Sequence, residues 1–104
     1  MKVAVMGYGT IGSGVVEVLR INKEKIARRA GQEVDVKYIL DLRDFPGDPM
    51  EDAIIHDYKT IVEDPEIGIV VETMGGVEPA YTFVKAMLEA GKSVATSNKN
   101  LVAA

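Results

Sequence analysis

Lys2-Val3-Ala4-Val5-Met6-Gly7-Tyr8-Gly9-Thr10-Ile11-Gly12 is the stretch that decides the fold. Residues 2–6 read as a short buried strand, and the glycine pattern Gly7-x-Gly9-x-x-Gly12 follows without a break. A helical apolar pattern starts at once behind it. Each glycine has a separate physical use in such a turn. The first permits the tight reversal, the second lets the backbone approach a pyrophosphate, and the third lets the helix pack closely on the strand. The start of the helix then offers backbone N–H groups and the positive end of its dipole to the phosphates. A glycine pattern alone also fits a plain tight turn. With a strand before it and a helix after it, a dinucleotide-binding loop is the preferred reading.

Working outward, residues 10–30 carry Ile11, Val15, Val18, Leu19, Ile26 and Ala27 at helical spacing, which predicts one long helix with these side chains on its core face. Arg28 and Arg29 suit the helix C-terminus, and Gly31 suits the cap behind it. The cluster Lys23, Lys25, Arg28 and Arg29, interleaved with Glu24, reads as a solvated helix face rather than a binding patch. Residues 33–40 alternate and then turn apolar, predicting a second strand that ends at Asp41. An acidic residue there is placed to bond the adenosine ribose hydroxyls and to repel a 2′-phosphate. The interval from Gly12 exceeds the usual ~20 residues, as the long helix between them requires. Arg43, two residues on, keeps phosphate binding open, and a merely solvated acidic loop is the plain alternative.

Pro46, Gly47 and Pro49 make residues 44–52 a loop. Residues 53–56 fit a short edge strand, and the single histidine, His56, has no partner near it in sequence and reads as a surface residue far from the glycine loop. Residues 57–63 predict a short capped helix stopped by Asp64-Pro65. The apolar run 67–73 has the character of a parallel strand covered on both faces and leads into Met74-Gly75-Gly76. Glu78-Pro79 opens another helix, with Tyr81, Val84, Met87 and Leu88 as its core face and Gly91 as its cap. Residues 92–96 form the last predicted strand and deliver Ser97-Asn98-Lys99. Asn98 reads as the N-cap of a further helix that has barely begun by Ala104, so the chain is expected to be a truncated piece of a longer protein.

Strands alternating with helices predict an α/β, Rossmann-like, doubly wound domain over residues 1–104 with a mainly parallel sheet. If the first strand is central, the second and third lie on one side of it and the fourth on the other. Residues 9–12 and 73–76 would then flank one crevice at the carboxyl ends of the strands, where such folds bind ligands. Paired glycines at 75 and 76 suit a backbone that passes close to a flat group such as the nicotinamide ribose, although a turn accounts for one of them. Lys99 has the chemical capacity to bind a carboxylate or relay a proton beside a carbonyl, and equally reads as a surface lysine.

Composition narrows the class. With 47% apolar and 27% charged residues the chain is an ordinary globular domain, long enough for one modest core. It has no cysteine, which rules out disulfides, thiolate metal sites and thiol catalysis, and its single histidine rules out a histidine-rich metal site. A net charge of −4 argues against nucleic acid or an anionic membrane surface as a partner. No apolar run approaches the ~20 residues of a membrane helix, and a cytoplasmic location is expected.

Three motifs taken together carry a family resemblance. Gly-Tyr-Gly-Thr-Ile-Gly-Ser-Gly-Val (7–15), Val-Glu-Thr-Met-Gly-Gly-Val-Glu-Pro-Ala (71–80) and Ala-Thr-Ser-Asn-Lys-Asn-Leu-Val-Ala (95–103) resemble homoserine dehydrogenase, over residues 2–103. The first motif is shared by many dehydrogenases; the order and spacing of the other two are more specific. The resemblance implies a parent oxidoreductase, expected to be a homodimer, that interconverts L-aspartate 4-semialdehyde and L-homoserine with NAD or NADP, on the route to threonine and methionine. It implies cofactor contacts at Gly9, Thr10, Ile11 and Gly12, and at Thr73, Met74 and Gly75 near the nicotinamide; Gly7 and Gly76 are expected beside them from the reading of the two glycine loops. It also implies a role for Lys99 in substrate binding or proton transfer beside the cofactor. Many members carry an arginine near the end of the second strand, where this chain has Asp41; that departure favours NAD, with Arg43 keeping NADP open. The family's substrate domain is absent, so these residues alone are expected to be inactive. Two other readings share the crevice: an aspartate dehydrogenase-like enzyme, and a nucleotide-sensing regulatory domain without chemistry, which has no need of Lys99.

Overall fold

The computed structural model describes residues 2–74 and 80–96. Within them, β1 (Lys2–Met6) enters α1 (Thr10–Ile21) and α2 (Lys23–Ala30), and the chain returns as β2 (Asp35–Leu40). A single 3-10 turn at Glu51–Ala53 precedes β3 (Ile54–Ile55), α3 (Lys59–Val62), β4 (Ile67–Glu72), α4 (Ala80–Glu89) and β5 (Ser93–Thr96). The strands form one parallel sheet in the order β3-β2-β1-β4-β5, with β2 and β3 on one side of β1 and β4 on the other as expected, and β5 beyond β4. This is the doubly wound α/β arrangement, and the order reverses direction beside β1.

The central strand shows why its sequence is continuously apolar. Val3, Ala4, Val5 and Met6 are all buried, because helices cover the sheet on both sides. Ala4 and Met6 join Leu40, Ile61, Ile67, Val70 and Met87 on the side covered by α3 and α4. There the rings of Tyr58 and Phe83 stack at 4.7 Å. Val5 joins Ile39 and Val16 on the side covered by α1, with Met50 and Ala53 packed alongside. Among the described residues no helix is long and apolar enough to cross a membrane.

Three expectations change. The single helix over 10–30 is two helices broken at Asn22, whose backbone (φ −99°, ψ 20°) leaves the helical region. Both its N–H and its side-chain amide donate to the Val18 carbonyl, at 3.0 and 3.2 Å. That is how a short polar side chain competes with the helix ladder. Gly31 does cap the second helix, at φ 75°.

The core face of α1 is also different. Gly12 and Val16 are buried, whereas Ile11 and Val18 are 58% and 55% exposed. The tight seat of Gly12, described below, fixes the rotation of the helix and turns the more apolar stripe outward. In α4, Met87 is buried with Phe83 and Val84 packed around it, while Tyr81 and Leu88 are exposed. Two predicted helix starts, at Glu78-Pro79 and at Asn98, lie outside the described residues. Lys92 sits just before β5 and is buried, its ammonium donating to the carbonyls of Asp64 and Ile67 at 2.7 and 2.9 Å.

Candidate functional site

The turn after β1 is built from backbone contacts that leave no room for side chains. Gly7 has φ 99°, a left-handed conformation open to glycine, and its N–H donates to the Leu40 carbonyl at 2.7 Å. A Cβ on Gly12 would lie 1.9 Å from the Gly7 carbonyl oxygen, so any larger residue forces helix and loop apart. A Cβ on Gly9 would meet nothing closer than the Arg43 guanidinium at 3.9 Å. Gly12 is therefore closed by the protein itself, and Gly9 faces open space. Gly9 is also the residue before α1, which begins without a side-chain cap. Its first-turn N–H groups are thereby left for an acceptor from outside, the arrangement that suits a pyrophosphate.

Around Gly9 lies a cleft of about 340 Å³ at the carboxyl ends of β1, β2 and β4, within the usual range for ligand sites. Gly7, Gly9, Asp41 and Arg43 line one part of it, and Leu40, Leu42, Thr73 and Met74 the rest. The fold thus brings together six of the residues expected from sequence. Thr10 and Ile11 instead line a separate, apolar depression along α1 with Val15 and Val18. Gly12 is buried behind the loop and supports its shape. Gly75, Gly76 and Lys99 lie outside the described residues.

Asp41 and Arg43 are partners, where the sequence offered them as alternatives. The guanidinium donates from Nε and Nη2 to the two carboxylate oxygens at 3.0 and 2.9 Å, and the Arg43 N–H adds a third bond at 2.9 Å. The Tyr8 N–H donates a fourth, at 2.9 Å. These bonds, the arginine side chain first, hold the Asp41 carboxyl down to about 2. Arg43 also lies over the Phe45 ring at 5.2 Å. Tyr8 packs edge-on against the same ring at 5.0 Å and donates its hydroxyl to Asp48. Burial, then the Asp48 bond, push the Tyr8 hydroxyl pKa up.

His56 is exposed, as expected, yet it is not remote. β3 pairs with β2, so His56 lands opposite Asp41, with Nδ1 2.6 Å from the Asp41 carbonyl oxygen and Nε2 3.0 Å from Asp44. Residue spacing hid this contact because a long loop separates the two strand ends. Among the described residues no cluster of acidic or histidine side chains could hold a metal ion.

On the other side of β1, the Thr73 N–H donates to the Met6 carbonyl at 2.9 Å. Its hydroxyl lies 2.9 Å from that oxygen and 3.1 Å from the Gly7 carbonyl. Glu72 is completely buried; its carboxylate accepts the Met74 N–H on one oxygen and the Thr96 hydroxyl on the other. The sequence reading passed over Glu72. The signal was there: a lone acidic residue closing a buried apolar strand requires partners.

Known proteins are similar to this chain in sequence and fold. The family model described as "Homoserine dehydrogenase, NAD binding domain" matches residues 7–104. A homoserine dehydrogenase of Pseudomonas aeruginosa is 41% identical over 104 residues, covering 99% of this chain and 24% of that protein. One from Lactococcus lactis is 36% identical over 109 residues, covering 99% of this chain and 25% of its own. The crystal structure of a homoserine dehydrogenase from Thiobacillus denitrificans superposes with a TM-score of 0.86 at 41% identity, over 99% of this chain and 24% of that one. The enzyme from S. aureus at pH 7.0 gives 0.86 at 32% identity, over 97% of this chain and 26% of its own. The chain spans about a quarter of the length of these relatives. On the match across residues 7–104, which includes all three strand-end loops, the chain belongs to the homoserine dehydrogenase family, as its NAD-binding domain.

Proposed function

We propose that this chain is the cofactor-binding part of an enzyme that interconverts L-aspartate 4-semialdehyde and L-homoserine, with NAD preferred over NADP. The observation that carries the reading is the family match over residues 7–104. The cofactor, when bound, supplies the hydride. The protein's part is placement. Gly9 leaves the backbone open to a pyrophosphate, with the uncapped N–H groups of Thr10, Ile11 and Gly12 beside it. Gly7 and Gly12 hold that turn in shape. Asp41 takes the adenosine ribose, and Thr73, Met74, Gly75 and Gly76 form the edge of the nicotinamide site. Lys99, from its motif, holds the substrate oxygen or passes it a proton. Substrate is a small molecule that the rest of the enzyme completes.

The preference for NAD is supported by the state of Asp41. A carboxylate held at about 2 is ionised throughout the neutral range and repels a 2′-phosphate. Arg43 is engaged by Asp41 through two side-chain bonds and reaches a phosphate only once they part. Titration calorimetry of the chain with NAD and NADP tests this, and NADP binding the more tightly would refute it. In the full-length enzyme, turnover unaffected by Lys99→Ala would remove Lys99 from the mechanism.

A further inference from the structure

Glu72 is the one carboxylate of the described residues that is wholly buried, and it lies at the carboxyl end of β4, next to the cleft. Its two oxygens point in different directions along the sheet. One accepts the Met74 N–H and so fixes the first turn of the chain beyond β4. The other accepts the hydroxyl of Thr96, the last residue of β5, from which the chain continues to Ser97 and Lys99. Register reinforces the second contact, because Glu72 and Thr96 are direct partners across the β4–β5 ladder. On the other flank Thr73 reaches back to the carbonyls of Met6 and Gly7. Two sets of polar contacts thus meet at the neighbouring residues Glu72 and Thr73: one from Thr73 to the glycine loop, the other from Glu72 to Met74 and Thr96. Together they span the carboxyl ends of β1, β4 and β5.

We propose that Glu72 is a positioning residue. Its carboxylate holds the backbone at Met74 and the end of β5 at a fixed separation, and so sets the shape of the crevice beside Thr73 and Met74 without touching the cofactor. This rests on the function reading above, which puts the nicotinamide beside Thr73 and Met74. The physical case is one of alternatives. An apolar side chain at position 72 would fill the space, as Val70 does two residues earlier, and would avoid burying a polar group. A carboxylate is useful there because it accepts from two separate elements at once. The adenosine half depends on Asp41 and Tyr8, across β1, and shares none of these contacts.

Ligand halves separate a positioning role from a general structural one. NADH reports on the whole crevice and ADP on the adenosine half alone. Glu72→Met removes both acceptors in a similar volume, and Thr96→Val removes only the contact to β5; Thr96→Ser retains it. Each is measured in the chain for thermal midpoint, for NADH binding by nicotinamide fluorescence and for ADP binding by calorimetry. Loss of a buried hydrogen bond predicts NADH binding about tenfold weaker in Thr96→Val, with ADP within about twofold of the parent and Thr96→Ser restored. Glu72→Met has the larger NADH defect where it folds. The proposal is overturned if NADH and ADP weaken in proportion, which is the mark of a loosened fold, or if neither changes in Thr96→Val. If the parent chain binds ADP but not NADH, the nicotinamide assignment fails and the proposal with it; if it binds neither, the dinucleotide reading itself fails.

Discussion

Two carboxylates, Asp41 and Asp64, sit at opposite ends of the parallel sheet and have the same chemistry. Asp41 follows β2 at the carboxyl end, and Asp64 precedes β4 at the amino end. Asp64 accepts the Lys37 ammonium at 2.6 Å, the Tyr38 hydroxyl at 2.7 Å and the Glu66 N–H at 2.9 Å. Lys37 first, then Tyr38, hold its carboxyl down to about 2, where Asp41 also lies. The difference is in where the partners come from. Lys37 and Tyr38 belong to β2, and buried Lys92 adds a bond from the start of β5 to the Asp64 carbonyl. Asp64 therefore joins segments that are distant in sequence and staples the fold. The side chain that grips Asp41 comes from two residues away and is 64% exposed. Such a local bond constrains little of the fold and can be exchanged. The amino end is tied by side chains from distant segments; near Asp41 the carboxyl end is held by the close packing of the glycine turn, and the side chain that occupies the carboxylate can be exchanged.

The largest expected effect follows from that packing. Gly12→Ala puts a methyl 1.9 Å from the Gly7 carbonyl and should cost about 3 kcal/mol or more. Gly14→Ala, two residues along α1 with nothing within 4 Å of its Cβ, should instead gain roughly 0.5–1 kcal/mol. Urea unfolding of the two variants provides the check. Equal effects would mean that the glycine loop is not held by close helix–strand contact.

A smaller effect tests the two carboxylates directly. Asp64→Asn should lower the thermal midpoint by about 5 °C and leave ADP affinity unchanged, since the change is at the end of the sheet remote from the cleft. Asp41→Asn should do the reverse, weakening ADP about tenfold with a midpoint within about 2 °C of the parent. A shared loss of both properties in either variant would erase the distinction between the ends.

Acid titration measures the same contrast through linkage. Both carboxylates have folded values near 2, below the ordinary 3.8. A depressed value means that the stabilisation is present above the unfolded value and is lost as pH falls from about 4 towards 2. Midpoints followed across that window should fall in the parent and fall less steeply in Asp64→Asn. An identical slope would show that the Lys37–Tyr38–Asp64 contacts carry no net stabilisation.

How much of this was legible in sequence depends on the range of the cause. The flanking of β1 by β2 and β4 and the glycine turn were legible, because β1 is apolar after Lys2, β4 is apolar up to Glu72, and Gly7, Gly9 and Gly12 have local steric uses. The break at Asn22 was not, since a periodicity count weighs apolar side chains and not a side-chain amide reaching the Val18 carbonyl. The outward turn of Ile11 and Val18 was hidden for a related reason: one glycine contact at position 12 outweighs a whole apolar stripe in setting helix rotation. In the site, Asp41 was visible as a strand-end acid, while its pairing with Arg43 depends on loop conformation. The approach of His56 follows from strand pairing, which spacing along the chain does not encode, whereas the burial of Glu72 was readable from its place at the end of an apolar strand and only its partners were not.

The smallest expected effect concerns Arg43 and is the sharpest for the exchangeable end. Four N–H donors already fill the acceptor positions of the Asp41 carboxylate. A ribose hydroxyl can be accepted there only if a donor withdraws. The Tyr8 and Arg43 N–H groups belong to the backbone, so the exposed guanidinium is the one able to leave. Arg43→Ala removes that competitor and also the only cation beside the ribose position among the residues lining the cleft. NAD binding should therefore hold within about threefold of the parent while NADP weakens, because only NADP loses the charge-assisted contact of the released arginine with its 2′-phosphate, worth more than a neutral bond. Calorimetric titration of both dinucleotides gives the ratio. NADP affinity unchanged by Arg43→Ala would show that the arginine serves Asp41 alone, and would leave the carboxylate as the sole discriminator at this end of the sheet.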